Sequence, residues 1–379
     1  MDTYQLRGRI DSSNAAEIEK EIRDTFPGGL PDELTLDASE LEYISSAGLR
    51  VLLRLKKEIT RVRMVHISRE IYEILEVTGF NQILETEKAL RQISIEGCPE
   101  IGRGAHGEVY RIAPDTIVKV YHPGETMEDI RTERELAKWA FVRDVPTAIP
   151  YDIVRVGDRY GAVFELLDAR STAEYIKESP ENLEDYIQRS VRLIKQLHAI
   201  PAEPGELPDM KAQMLEWMSS IRRLHDEEQG GELTGESCDQ LEKMIRETPD
   251  SRTLLHADLH LKNFMICRDE LMIIDMDTLC TGDPIFDLAT IYNSYRQFPS
   301  IDPAAAAFLE LDVETCYRIC DRTMELYLDK EDPAQRAETV RKAHLFGCVR
   351  IIDYMGRHPD LPEREAVIER CLQDIVKAL

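Results

Sequence analysis

Leu255-His256-Ala257-Asp258-Leu259-His260-Leu261-Lys262-Asn263, followed by Phe264-Met265-Ile266-Cys267, Arg268-Asp269-Glu270, Leu271-Met272-Ile273-Ile274 and Asp275-Met276-Asp277, is the most informative stretch of the chain. It sets Asp258 and Asn263 five residues apart in a polar loop. An apolar strand follows, then a turn and a return strand that stops at Asp275. A hairpin of this size brings Asn263 and Asp275 together as hard oxygen ligands, of the kind Mg²⁺ takes while keeping water and phosphate oxygens. Asp258 then remains to orient an attacking hydroxyl and accept its proton. Polar residues capping a turn would be the plainer reading, but H-x-D-x-x-x-x-N before an apolar strand ending in Asp is more specific than that.

Upstream, Gly102-Arg103-Gly104-Ala105-His106-Gly107-Glu108-Val109 fits G-x-G-x-x-G-x-V. A dinucleotide fingerprint should open a helix, whereas Val109-Tyr110-Arg111-Ile112 alternates as a strand. The glycines therefore join two strands, either as a plain hairpin or as a backbone lid over phosphates. Thr116-Ile117-Val118-Lys119-Val120 follows as a strand with a lysine between apolar neighbours, costly unless it meets an anion. Glu135, sixteen residues on, is the expected ion-pair partner of Lys119, with Glu133 its rival.

The 379 residues are 43% hydrophobic and 31% charged, which excludes wholesale disorder and a fibrous repeat. No apolar run approaches the roughly 18 residues of a membrane span, and Met1-Asp2-Thr3-Tyr4 carries no secretory signature. A cytoplasmic protein is expected. Eight cysteines occur without a Cys-x-x-Cys pair or a His/Cys cluster, and Cys316 with Cys320 is the one close pair. That usage reads as reduced thiols rather than a zinc site or a disulfide framework. The formal charge of −25 disfavours a nucleic-acid binder and would attract cationic molecules.

The chain reads as α/β followed by α+β. Residues 1–96 alternate short strands with helices, including Ile44-Ser45-Ser46-Ala47-Gly48 turning into a helix. Residues 97–379 run from a strand-rich part, about 97–167, to a helical part, about 168–379. Leu183, Ile187, Val191, Ile194 and Leu197 form one helical stripe, and Met210, Met214, Trp217, Met218, Ile221 and Leu224 another; both read as core. A helical insertion covers about 201–250, with 5 basic and 13 acidic residues. Solvated helix faces explain that balance; a pocket for a cationic acceptor would use it.

Residues 97–379 resemble the aminoglycoside phosphotransferase/choline kinase branch of the protein-kinase-like fold, a bilobal domain with a β-rich N-lobe and a helical C-lobe. The resemblance rests on the glycine loop, Lys119, Glu135, His256-Ala257-Asp258 to Asn263, Asp275, and Gly282-Asp283-Pro284 through Asp287-Leu288-Ala289. It implies ATP and Mg²⁺ as cofactors. Gly102, Gly104 and Gly107 would cover the nucleotide, Lys119 would meet its α/β-phosphates and Glu135 would hold Lys119. Asp258 would be the catalytic base, Asn263 and Asp275 the metal ligands, and Leu167 part of a hinge facing adenine. His256 would be a scaffold residue, and Asp287 a structural brace. Ala257 stands where protein kinases have arginine, and only eleven residues separate Asp275 from Asp287, too few for a long activation loop. Both departures favour a small-molecule acceptor.

Residues 4–97 resemble a STAS domain of the anti-sigma-factor antagonist type, through Gly8-Arg9-Ile10-Asp11, Leu36-Asp37-Ala38-Ser39 and Ile44 to Leu49. In that family a serine at the start of this helix is a phosphorylation switch, and it maps to Ser46. Simple helix capping by Ser46 is the alternative. Two functions follow as expectations. One is an ATP- and Mg²⁺-dependent phosphotransferase for a hydroxyl of a small, cationic molecule of aminoglycoside, amino-sugar or amino-alcohol type, with the STAS domain serving regulation or the docking of a protein partner. The other is a serine protein kinase acting on a STAS serine such as Ser46. Neither implies nucleic acid or a membrane as partner.

Overall fold

The computed structural model describes residues 2–104, 106–227, 231–361 and 363–379. Its chain separates into two compact units, Met1–Ser94 with Ile153–Arg159, and Ile95–Asp152 with Tyr160–Leu379.

The first unit runs β1 (Asp2–Ile10), α1 (Ala15–Thr25), β2 (Glu33–Ile44), α2 (Ser46–Glu58), β3 (Arg61–Ile67), α3 (Arg69–Val77), β4 (Glu85–Lys88) and β5 (Arg91–Ile93). Strands β1–β4 form one parallel sheet in that order. Parallel neighbours need crossovers, and the helices supply them. One face of each helix (Ile22, Leu52, Leu55, Ile71) closes over Leu6, Leu34, Leu36 and Met64. Strand β5 pairs in parallel with Val154–Val156. The division therefore falls at Ser94 rather than residue 96, and Ile153–Arg159 groups with the first unit.

The second unit opens with β6 (Glu100–Arg103), β7 (Gly107–Ala113), β8 (Thr116–Tyr121) and α4 (Met127–Phe141); β9 (Pro150–Val156) passes at Ile153 into the segment that groups with the first unit, and β10 (Arg159–Glu165) resumes the second from Tyr160. Strands β6, β7, β8 and β10 lie antiparallel in that order. Thr126 and Asp129 close a capping box at the start of α4, which sets where that helix begins. Next come β11 (Ala169–Ser171), α5 (Thr172–Glu178), α6 (Pro180–Leu197), α7 (Met210–Asp226) and α8 (Gly235–Glu247). Then β12 (Thr253–Leu255), β13 (Phe264–Cys267), β14 (Glu270–Ile273) and β15 (Cys280–Gly282) precede α9 (Ile285–Tyr292), α10 (Phe298–Ile301), α11 (Ala304–Phe308), α12 (Val313–Tyr327), α13 (Pro333–Arg357) and α14 (Arg364–Ala378). Both helical stripes lie in one core, with Trp217 at its margin. No described helix is long and apolar enough to cross a membrane.

Candidate active site

Lys119 sits on β8 with Val109 of β7 and Ala162 of β10 opposite it, so its backbone is fixed from both sides. Alternation along the strand buries Val118 and Val120 on one face and turns Lys119 to the other. Its Nζ donates to Glu133 Oε1 at 2.7 Å and lies 3.7 Å from Asp275 Oδ1. Burial works to lower the lysine's pKa, but the Asp275 and Glu133 carboxylates outweigh it and leave the value raised. The ammonium stays charged. Glu135, the partner expected from sequence, is not the one used: it is exposed and pairs with Arg134 and Lys138. Two residues along a helix turn a side chain by about 200°. Glu133 thus faces β8 while Glu135 faces solvent.

In the glycine loop, Gly104 N donates to Gly107 O at 2.9 Å. A Cβ at Gly107 would stand 2.2 Å from the Val120 carbonyl oxygen, whereas one at Gly104 would meet nothing within 4 Å. Close packing of β7 on β8 therefore requires glycine at 107, and Gly104 leaves open space beside the loop. Ala105 lies outside the described residues. His106 ties the loop down, with Nδ1 2.9 Å from Glu125 Oε1 and Nε2 3.8 Å from Asp277 Oδ2. We expect Gly107→Ala to cost about 1–3 kcal/mol through overpacking, measured by thermal melts, whereas Gly104→Ala should melt like the parent protein.

The loop before β13 is held from beneath. Asp287, fully buried near the start of α9, accepts from His256 N at 3.0 Å and Ala257 N at 2.7 Å, and its Oδ2 is 3.0 Å from His198 Nε2. A buried carboxylate is tolerated because each oxygen is hydrogen-bonded. His256 Nδ1 accepts from Asp258 N at 3.3 Å while its Nε2 lies 3.1 Å from Ile274 O, the pattern of an Nε2–H tautomer. Arg350, on α13, donates to Ala257 O. These bonds stabilise Ala257 at φ +61, a left-handed conformation that costs a non-glycine residue about 1 kcal/mol or more. Asp258 is aimed by that turn. Burial pushes its carboxyl up, but the His260 ring, with Nε2 3.3 Å from Oδ2, and the Arg350 guanidinium hold it down at about 2. The carboxylate is ionised at neutral pH and can accept a hydrogen bond from a hydroxyl.

Asn263 is nearly buried and its Nδ2 donates to Asp258 O at 2.9 Å and Asp258 Oδ2 at 3.1 Å, which leaves Oδ1 as an acceptor. Ile274 N donates to Asn263 O at 2.9 Å just beyond the last ladder pair, Phe264 with Ile273, so Asp275 follows directly on the residue bonded to Asn263. Arg268 and Asp269, both at positive φ, make the tight turn at its other end. Asp275 is itself at φ +66 with its side chain partly exposed. An amide oxygen and a carboxylate suit a hard divalent cation such as Mg²⁺. Asp277 belongs to the same cluster, its pKa raised by burial and then by Asp275.

Two further sequence expectations fall elsewhere. Leu167, half-buried, joins β10 to β11, and Leu166 N donates to Asp115 O at 2.8 Å. In the first unit the cap of α2 is Ser45, whose Oγ accepts from Ala47 N at 3.1 Å. Ser46 is the first helical residue and exposed, so it is not the cap. Sequence reasoning did not reach His260, His198 or Arg350. The last lies about ninety residues from the loop it braces, and nothing local in its surroundings marks it.

Residues 97–319 match the phosphotransferase enzyme family and residues 3–93 match the STAS domain. BtrV of Bordetella bronchiseptica, a protein named as an anti-sigma factor antagonist, is 34% identical over 82 residues, 21% of this chain and 70% of that protein. Among solved structures, the ADP-bound aminoglycoside phosphotransferase APH(2'')-Ib is 18% identical, with a TM-score of 0.50 over 82% of this chain and 97% of its own. A thermostable mutant of aminoglycoside phosphotransferase APH(4)-Ia, in a ternary complex with ADP and hygromycin B, is 12% identical, with a TM-score of 0.51 over 75% and 96% of the two chains. At these identities the likeness is one of fold.

Proposed function

The chain belongs to the phosphotransferase enzyme family, with a STAS domain preceding its kinase-like unit, and we propose that it moves the γ-phosphate of ATP to a hydroxyl of a small, cationic acceptor. One observation carries this reading. Lys119, Glu133 and Asp275, from three separate elements, meet within 3.7 Å of the lysine Nζ, while Asn263 links by hydrogen bonds to Asp258.

In this mechanism Lys119, held by Glu133, meets the α/β-phosphate oxygens, and the backbone of Gly102 to Gly107 covers them. Asn263 Oδ1 and Asp275 would hold Mg²⁺, which neutralises charge on the phosphate oxygens when bound. Leu167 packs against adenine. Asp258 accepts the hydrogen bond of the acceptor hydroxyl and takes its proton as the new P–O bond forms and the β,γ-bridging P–O bond breaks, releasing ADP. Phosphoryl transfer asks mainly for placement and charge neutralisation, and these residues supply both.

The acidic excess of residues 201–250 supports a cationic acceptor, though part of it is already neutralised: Asp239 and Glu242 pair with Arg222, and Asp250 with Lys211. A coupled ADP-release assay over amino-sugars, amino-alcohols and neutral polyols tests the class. Turnover confined to amine-bearing hydroxyl compounds is expected; equal turnover of neutral polyols would reject the cationic preference.

Ser46 motivates a second reading, serine protein kinase activity within partner-switching signalling. Its hydroxyl is exposed at the first turn of α2, where the helix N-terminus favours an added phosphate. Incubation with γ-labelled ATP and peptide mapping tests this reading: label on Ser46, in this chain or an isolated 1–96 fragment added as substrate, supports it, and label confined to small acceptors rejects it.

A further inference from the structure

Helices α13 and α14 each present two residues with soft or nitrogen and oxygen donors to their shared interface. On α13, His344 and Cys348 are four residues apart and lie on one face; on α14, Cys371 and Asp374 are three apart and do the same. Nε2 or Nδ1 of His344, Sγ of Cys348 and a carboxylate oxygen of Asp374 lie within 4.8 Å of one another. The Cys348 thiol is within hydrogen-bonding reach of Cys371. Both cysteines are free and fully buried, and Asp374 is nearly so. His344 Nε2 lies 3.5 Å from Asp374 Oδ2 yet is buried without a hydrogen-bond partner. A polar atom buried without a hydrogen bond is costly in an otherwise apolar interface.

We propose that His344, Cys348, Cys371 and Asp374 form a structural zinc site that clamps α14 to α13. Two thiolates, an imidazole and a carboxylate are a donor set of the kind Zn²⁺ takes in closed tetrahedral sites. Ligand atoms in such a site stand about 3.3–3.8 Å apart, from metal–ligand lengths near 2.0–2.3 Å, so the His344, Cys348 and Asp374 atoms need to contract by about an ångström, and Cys371, in reach of Cys348, has to draw in with them as the fourth ligand. Binding releases both thiol protons and leaves the site with a single net negative charge. The guanidinium of Arg370, with Nε 3.2 Å from Asp374, offsets that charge. Outer partners are in place as well. Gln297 Nε2 donates to Asp374 Oδ2 at 2.9 Å and approaches Cys371 Sγ at 3.7 Å, and Tyr292 stacks on the His344 ring with centroids 4.7 Å apart. Such second-layer contacts orient ligands and fix the histidine ring. The cluster contains none of the residues assigned to phosphate transfer, so the metal would stabilise the fold rather than take part in the reaction.

The spacing hides the site from sequence. Cys348 and Cys371 lie twenty-three residues apart, without a Cys-x-x-Cys pair, and only the antiparallel docking of two helices gathers them.

The test uses the full chain purified without chelator or affinity metal. About one equivalent of zinc per chain should persist through gel filtration, measured by inductively coupled plasma mass spectrometry, and Co²⁺ substitution should give the intense visible bands and thiolate charge-transfer absorption of a tetrahedral site. Cys371→Ser and His344→Gln should each lose more affinity than the about 10–100-fold that a second-layer partner is worth, whereas Cys98→Ser should keep the metal. Chelation should lower the melting temperature. Less than about a tenth of an equivalent after zinc loading, with no cobalt spectrum from the unsubstituted protein, would overturn the proposal. So would a mass lower by two hydrogens, marking a Cys348–Cys371 disulfide. Because the cobalt spectrum needs no variant, the test stands even if a substituted chain fails to fold.

Discussion

Asp258→Asn should reduce kcat by about 10³-fold or more while ATP–Mg²⁺ binding changes less than about threefold, since positioned proton acceptors contribute roughly 10²–10⁴-fold. Asparagine keeps the size and the turn but cannot take the hydroxyl proton. It also replaces a carboxylate held at about 2 with a neutral group, so the His260 ring loses its anionic neighbour. The scaffold beneath is untouched, because Asp287 bonds the backbone of His256 and Ala257 rather than the Asp258 side chain. Circular dichroism and melting should therefore match the parent. Single-turnover rates with a good acceptor, together with nucleotide titration, make the measurement; retained turnover in this variant would refute the base assignment.

The second large effect separates two glutamates. Glu133→Gln should lower kcat/KM by about 10–100-fold, the equivalent of about 1.5–3 kcal/mol for a hydrogen bond to a charged group. It removes the carboxylate 2.7 Å from a largely buried ammonium and leaves Lys119 free to swing toward Asp275. Glu135→Gln should leave the rate within about twofold, because exposed ion pairs such as those with Arg134 and Lys138 are worth little. Equal losses from both substitutions would contradict the ion-pair assignment. Running both in one coupled assay controls for expression and folding.

The loop of Asp258 and the hairpin after it were legible as local structure because their information is local. Asp258, Asn263 and Asp275 fall within eighteen residues, and a two-residue turn of Arg268 and Asp269 closes the ladder that lies between the last two. The alternation of strand and helix in the first unit was legible for a similar reason, since each of its first three strands and the helix after it carry their own periodicity; the parallel pairing and the fourth strand, β4, came only from the structure. The Lys119 partner was not, because a choice between Glu133 and Glu135 depends on which face of α4 turns inward. Helix phase follows from packing against the sheet, and both carboxylates look alike along the chain. Ser45 and Ser46 pose the same problem one residue apart: either can cap a helix, and only the backbone geometry at the end of β2 assigns the cap to Ser45.

Residue chemistry and short-range spacing alone were enough to identify the fold class, the two family resemblances and the hairpin that follows Asp258. Tertiary structure decided which groups meet across long separations: Glu133 with Lys119, Arg350 with the Ala257 carbonyl, Asp287 with the loop amides, and His344 and Cys348 of α13 with Asp374 of α14. The physical reason is that a hairpin or cap is fixed by bonds between near neighbours, whereas the facing of one helix toward another depends on how whole apolar surfaces are buried.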